Sequence, residues 1–220
     1  MRTEAEVTHG GEGVPHLAHH YSNLEMQAHA ARLGMWLFLA TEVLLFGGLF
    51  TAYVVYRYTF SDTFVAASKL VETHYGAINT VVLITSSLTV ALAHHFVEHR
   101  QSRKAALLLA ASVFAGLVFL GIKAIEYTHH IEAGELPGRY YSYEGLQAHG
   151  AAMFWSLYFL MTGLHGIHVI IGMGVLAVIA FRTWRGAYDD GYSTPVELSG
   201  LYWHLVDLIW IFLFPLFYLI

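Results

Sequence analysis

The stretch from Ala151 to Phe181 leaves this chain little choice of environment. No Asp, Glu, Lys or Arg occurs between Glu144 and Arg182. At about 1.5 Å of rise per residue, a helix over these positions crosses a hydrocarbon layer roughly 30 Å thick with turns to spare. Its middle reads Gly163-Leu-His165-Gly166-Ile-His168-Val-Ile-Ile-Gly172. The spacing of three puts His165 and His168 on one face, and Gly163 and Gly166 remove side chains where a neighbouring helix can approach. Two imidazoles at mid-membrane depth need partners, so the other segments are read for what they offer this one.

Scarcity of charge runs through the whole chain. Of 220 residues, 56% are hydrophobic and 12% charged, about half the charge of an ordinary soluble domain. The apolar residues come in blocks rather than in alternation, which predicts a helical bundle and argues against an outer-membrane barrel. The expected fold class is therefore all-α: a polytopic membrane helical bundle with five transmembrane helices. Cysteine is absent, which excludes disulfides, thiolate-bound zinc and iron–sulfur clusters. The net charge of −5 includes no basic run, so nucleic acid is not expected as a partner. Fifteen histidines are the compositional oddity.

Residues 1–31 are polar and His-rich, with His9, His16, His19, His20 and His29. They lack the apolar core of a signal peptide and read as a mature, solvated tail. Residues 32–220 form one domain, with spans expected over about 33–57, 75–97, 105–127, 151–181 and 198–220. The first span contains one carboxyl, Glu42, which must face protein because a lipid-facing carboxylate costs several kcal/mol. The second carries a polar stripe of Asn79, Thr80, Thr85, Ser86, Ser87 and Thr89, suited to helix packing, and ends in His94, His95 and His99. Near the far end of the third, Lys123 and Glu126 are three apart and can pair, or Lys123 can snorkel toward headgroups. The last span places His204 and Asp207 on one face.

Loop charge sets an orientation. Arg2, Arg32, Arg100, Arg103, Lys104, Arg182 and Arg185 fall on one side, and Arg57, Lys69, Lys123 and Arg139 on the other. The larger set marks the cytoplasmic face, with the N-terminus inside and the C-terminus outside. Counted from that face, Glu42 and Asp207 lie about nine residues deep, His204 about six, Ser86 and Ser87 about eleven, and His168 and His165 about 14 to 17. These depths predict a buried polar layer through the first, second, fourth and fifth spans.

Two chemistries compete for those residues. His165-x-x-His168, Glu126-x-x-His129-His130 and His94-His95-x-x-x-His99 have spacings that metal sites use. Yet the clusters ending the second and third spans lie on opposite faces of the bilayer and cannot share one di-iron centre. Proton or ion transport would also use Glu42, Asp207 and the histidines, and a purely structural role in pinning helices accounts for them equally well. No phosphate loop or nucleophile elbow is present.

Five motifs in order then resemble one family. They are Phe38-Leu-Ala-Thr-Glu42-Val-Leu-Leu-Phe46, Asn79-Thr80 leading to Ala93-His94-His95, Glu126-Tyr127, the Gly163–Gly172 stretch, and Trp203-His204-Leu-Val-Asp207-Leu-Ile-Trp210. From Gly34 to Leu219 the sequence resembles subunit III of haem–copper respiratory oxidases, in the five-helix bacterial form. The resemblance implies an accessory, non-redox subunit of an oxidase that reduces O2 to water and pumps protons, such as cytochrome c oxidase. A quinol oxidase, or a homologue associated with nitric oxide reductase, is the near alternative, and a stand-alone His-box membrane metalloenzyme the distant one.

It further implies a bacterial cytoplasmic (inner) membrane location, with oxidase subunits I and II and phospholipids as partners, and contact with other respiratory complexes. No cofactor is expected on this chain itself; haems and copper sit in the partners. Glu42 matches the family's carbodiimide-reactive carboxyl, and Arg182 matches an arginine that contacts a phospholipid headgroup. His165, His168, His204 and Asp207 make the buried polar layer, and His94, His95, His19 and His20 are candidates for a proton antenna.

Overall fold

The computed structural model describes residues 16–190 and 192–220, so His9 and the rest of residues 1–15 lie outside the described part. Five long apolar helices are present: α1 (Leu24–Thr59), α3 (Thr73–Glu98), α4 (Ser102–Glu132), α5 (Ala151–Trp184) and α6 (Thr194–Tyr218). Each is long and apolar enough to cross a membrane. A sixth, short helix that the sequence did not announce, α2 (Ser61–Ser68), follows α1 after a single residue. Phe64 of α2 is fully buried and meets Phe154 of α5 edge to face at 5.3 Å.

α1 starts earlier than expected. The Asn23 side chain accepts a hydrogen bond from the Met26 amide at 2.7 Å and caps the helix at Leu24, as Asn does well at this position. Residues 24–31, read from sequence as solvated tail, are therefore helical, and the segment before them is tied down. His16 lies 3.1 Å from Asp190 and stacks on Tyr192 at 4.6 Å. Gln27 donates to the Tyr192 hydroxyl at 3.2 Å, and Arg32 forms a two-point pair with Glu197 at 2.8 and 2.9 Å. Polarity alone marks such a segment as solvent-facing; partners from the α5–α6 connection hold it.

α3, α4, α5 and α6 form a closed ring in which α3 packs on α4 and α6, and α5 on α4 and α6. Successive spans run in opposite directions, so every neighbour in that ring is antiparallel. Trp155, Trp203, Trp210, Tyr158 and Phe119 fill its interior. The indole nitrogens reach across it: Trp203 donates to Ser86 and Trp210 to Thr80, each at 3.0 Å, while the Thr89 and Ser112 hydroxyls lie 2.6 Å apart. Much of the polar stripe of α3 thus faces α4 and α6, as its composition predicts.

α1 is different. It docks against α5 and α6 through Leu39, Phe46 and Tyr53, its only buried residues among 36. They recur every seven positions and form a single seam. At its far end the Tyr53 hydroxyl donates to the Leu216 carbonyl of α6. Exposed on its remaining circumference are Leu33, Trp36, Leu37, Val43, Leu44, Val54 and Val55.

Close helix approach does not occur at Gly163 and Gly166 as expected. A methyl group there would find its nearest neighbours at 3.7 and 4.0 Å. Tight crossings lie instead at Gly172, where a Cβ would meet the Trp203 ring at 2.8 Å, at Gly116, where it would meet Met173 at 2.5 Å, and at Gly76, where it would meet Tyr218 at 2.7 Å. The large side chains packed on them, Trp203 at Gly172 among them, select these sites, and their positions are tertiary facts. Gly172→Ala is expected to destabilise the bundle by about 1–3 kcal/mol through overpacking. Gly174→Ala, on the same helix with open space around it, should leave stability unchanged or slightly raised. Thermal unfolding of the two variants in detergent makes the comparison.

Candidate functional site

The residues expected to form one polar layer fall into two separate clusters with His165 apart from both, and a third cluster that was not part of that expectation centres on α4. The first joins α1 to α5: Glu42 Oε2 and His168 Nε2 are 2.8 Å apart, with side chains 14% and 11% exposed. His168 Nδ1 lies 2.8 Å from the Leu164 carbonyl, an acceptor, so Nδ1 carries a hydrogen. One proton is then shared across the Glu42–His168 contact, either on the carboxyl or on the second ring nitrogen. In both forms the couple is net neutral, which is how two such groups persist in an apolar setting. The Phe46 ring meets the His168 imidazole edge on at 5.3 Å, and the Tyr202 hydroxyl donates to the His168 carbonyl at 3.2 Å.

This couple forms the floor of a cleft of about 490 Å³ lined by Met35, Phe38, Ile171, Val175, Leu198 and Tyr202. Apart from the couple its walls are almost wholly apolar. His168, Val175 and Arg182 are spaced by seven along α5 and so share a face. Arg182 is exposed in the last turn of the helix, its guanidinium 6.0 Å from the Tyr188 ring, about 21 Å along the axis from His168.

The second cluster lies between α3 and α6. Ser87 Oγ and His204 Nδ1 are 2.6 Å apart, and with Asp207 they line a cavity of about 350 Å³ otherwise walled by Ile84, Leu88, Ala91, Leu208 and Ile211. Asp207 is 3% exposed, and neither carboxyl oxygen has a hydrogen-bond partner among the described residues. His204 and Asp207 do share a face, but His204 bonds to α3 rather than to Asp207.

His165 belongs to neither cluster. Fully buried, it lies between Phe119 of α4, at 5.5 Å, and Trp210 of α6, at 5.3 Å. A spacing of three leaves residues about 60° apart around a helix axis. In a crowded bundle that sends His165 toward α4 and α6 and His168 toward α1, so the expected common face does not give a common site.

The third cluster is the most extensive. Lys123 is buried and does not snorkel: its ammonium donates to Glu126 at 3.0 Å and to the hydroxyls of Tyr158 and Tyr218 at 2.9 Å each. Both hydroxyls donate in turn to the other Glu126 oxygen, at 2.6 and 2.7 Å. His130 extends the network to Glu135, 2.6 Å from its Nδ1. The sequence allowed the Lys–Glu pair beside a snorkelling Lys123 and flagged His130 only within a metal-like spacing; Tyr158, Tyr218 and Glu135 carried no local signal, since they converge from α5, α6 and the loop after α4.

The remaining histidines are dispersed. His19 and His20 are exposed before α1, His94 is half-buried 3.6 Å from Glu98, and His95 is exposed beside His99 at the end of α3. Among the described residues no three His, Asp or Glu side chains converge as a metal ion requires. The metal-like spacings therefore do not assemble into a donor set.

Removing one member of the third cluster should be worse than removing two. Lys123→Met leaves the Glu126 charge buried and is expected to cost about 3–5 kcal/mol, whereas Lys123→Met with Glu126→Gln should recover much of that loss. Denaturant unfolding of the solubilised protein reads both; equal losses would show that the pair is not energetically coupled.

The model of the family described as cytochrome c oxidase subunit III matches residues 16–220. Quinol oxidase subunit 3 of Bacillus subtilis is 29% identical over 211 residues, covering 94% of this chain and 97% of the relative. Probable quinol oxidase subunit 3 proteins of Staphylococcus epidermidis and Staphylococcus aureus are 28% and 25% identical over 209 and 207 residues, each covering 93% of this chain and 97% of the relative. With a bundle of five membrane-length helices and a family match over nearly its whole length, this chain belongs to the subunit III family of haem–copper oxidases.

Proposed function

We propose that the chain is a non-redox docking and lipid-holding subunit of a proton-pumping, O2-reducing haem–copper oxidase in the bacterial inner membrane, with quinol as the electron donor. The single observation that carries this reading is α1: a long apolar helix joined to the ring along one seam, with a neutral proton-sharing Glu42–His168 couple at that seam. Such a helix leaves most of its apolar surface for lipid and for partner helices, here oxidase subunits I and II. Haems and copper are assigned to those partners, and contact with other respiratory complexes falls on the same exposed surfaces.

The apolar cleft above the couple suits an acyl chain, and Arg182 further along the same face suits its phosphate, a pairing that guanidinium makes well. Retained lipid would stiffen the weak α1 seam and so stabilise the catalytic partner during turnover. The N-terminal end of the bundle is taken as cytoplasmic because the larger set of Lys and Arg lies there. His19, His20, His94 and His95 all lie at that end, where imidazoles exchange protons near neutral pH; this supports their role in proton uptake. Quinol as donor is supported by the names of the relatives from Bacillus and Staphylococcus.

Two measurements test the proposal. Carbodiimide labels a carboxyl that has a proton to give, so Glu42→Gln should abolish labelling of this chain while turnover of the intact complex stays within about twofold. Complete loss of turnover in an assembled complex would overturn the accessory role. The purified complex should oxidise a ubiquinol or menaquinol analogue and not reduced cytochrome c; the opposite preference would overturn the assignment of donor.

A further inference from the structure

A second cleft, of about 720 Å³, opens at the end of the bundle where α4 begins and α5 finishes. It is lined by Arg100, Arg103, Lys104 and Arg185, with Asp189 as the one acidic wall residue. None of the four cations forms an ion pair among the described residues, in contrast to Arg32, which is held by Glu197. Lys104 and Arg185 rest against aromatic rings instead, Phe96 at 5.5 Å and Phe181 at 4.4 Å.

The backbone adds to the positive field. Gln101 supplies no side-chain cap to α4, whose first turn contains no acidic residue. Lys104 and Ala105 donate to the Gln101 carbonyl, and the amides of Ser102 and Arg103 come before the first turn closes. Helix starts normally attract carboxylates and repel cations; here Arg103 and Lys104 occupy the start itself. Arg100 is held at φ 57, a left-handed conformation that is ordinary for glycine and strained for arginine. Like charges, a positive helix end and local strain all concentrate at one place.

Ser102 points to what resolves the conflict. It lines this cleft, is only 6% exposed, and its hydroxyl has no hydrogen-bond partner among the described residues. A buried hydroxyl without a partner is uncommon and costly. At the start of a helix it stands beside free amides where an oxyanion is normally received.

We propose that this cleft binds a phosphate group. Arg100 and Arg103 supply bidentate donors, Lys104 and Arg185 supply charge, and Ser102 Oγ with the first amides of α4 receives the phosphate oxygens at the base. The site is separate from the cleft above Glu42 and His168, with which it shares no lining residue. Two sources carry the same chemistry. One is the headgroup of an anionic phospholipid, for which the exposed Trp184 in the cleft wall gives apolar support. The other is a soluble phosphate compound such as a nucleotide.

The test uses the intact complex in mild detergent, with short-chain phosphatidylglycerol, ATP and inorganic phosphate titrated separately. At least one probe should bind with an affinity that falls as salt is raised, and Arg100→Gln with Arg103→Gln should weaken it by about tenfold or more. Ser102→Ala should weaken it less, and the double arginine-to-lysine variant should recover part of the affinity. Quinol oxidation by each variant serves as the control for assembly. Loss confined to phosphatidylglycerol assigns a lipid headgroup, and loss confined to ATP or phosphate assigns a soluble ligand. Failure of every probe to bind, or equal binding to the wild-type and double arginine variant complexes, would overturn the site.

Discussion

The Lys123 ammonium is buried among helices, and the bundle is arranged so that each of its three donors meets an oxygen. Glu126 from its own helix, Tyr158 from α5 and Tyr218 from α6 supply them. Burying that charge alone would be prohibitive, so once Lys123 lies inside, α5 and α6 must present those two faces and no others. Helices surrounded by lipid gain little from hydrophobic association. Rotation about each axis is therefore decided by polar contacts such as these, and by Trp203 and Trp210 of α6 reaching Ser86 and Thr80 of the adjacent α3.

α1 is held on different terms. Three buried side chains and one ionisable couple join it to the ring, with Arg32–Glu197 and Gln27–Tyr192 anchoring one end and the Tyr53 hydroxyl on the Leu216 carbonyl the other. Rigidity thus grades from the four-helix ring outward to a helix with most of its surface unoccupied. Along that gradient the four-helix ring closes on itself, while most of the apolar circumference of α1 is exposed. Its neutral Glu42–His168 couple can lose or gain a neighbour without stranding a charge.

Much of this was legible without coordinates. Five spans, the helical class and the protein-facing positions of Glu42 and Asp207 follow from which residues a bilayer tolerates, because water exclusion acts on each side chain individually; the choice between pairing and snorkelling for Lys123 does not. The histidines were not legible in the same way. His165 and His168 read as sharing one face and serve two different interfaces; His204 and Asp207 also share a face, and His204 is bonded to Ser87. Residues 24–31 read as solvated from their polarity, yet Asn23 caps them into α1 and the loop near Tyr192 holds the segment before them.

By itself the sequence determined the helical class and the five apolar spans, since these depend on composition along the chain. Only the tertiary structure decided which way each helix turns about its own axis. A spacing of three or four residues confines two side chains to an arc of about 60° or less, and in a ring of close-packed helices that arc spans two different neighbours. The convergence of Tyr158 and Tyr218 on Lys123, the narrow crossing at Gly172 and the gathering of Arg100, Arg103 and Arg185 around one cleft are facts of rotation and docking, which no local pattern encodes.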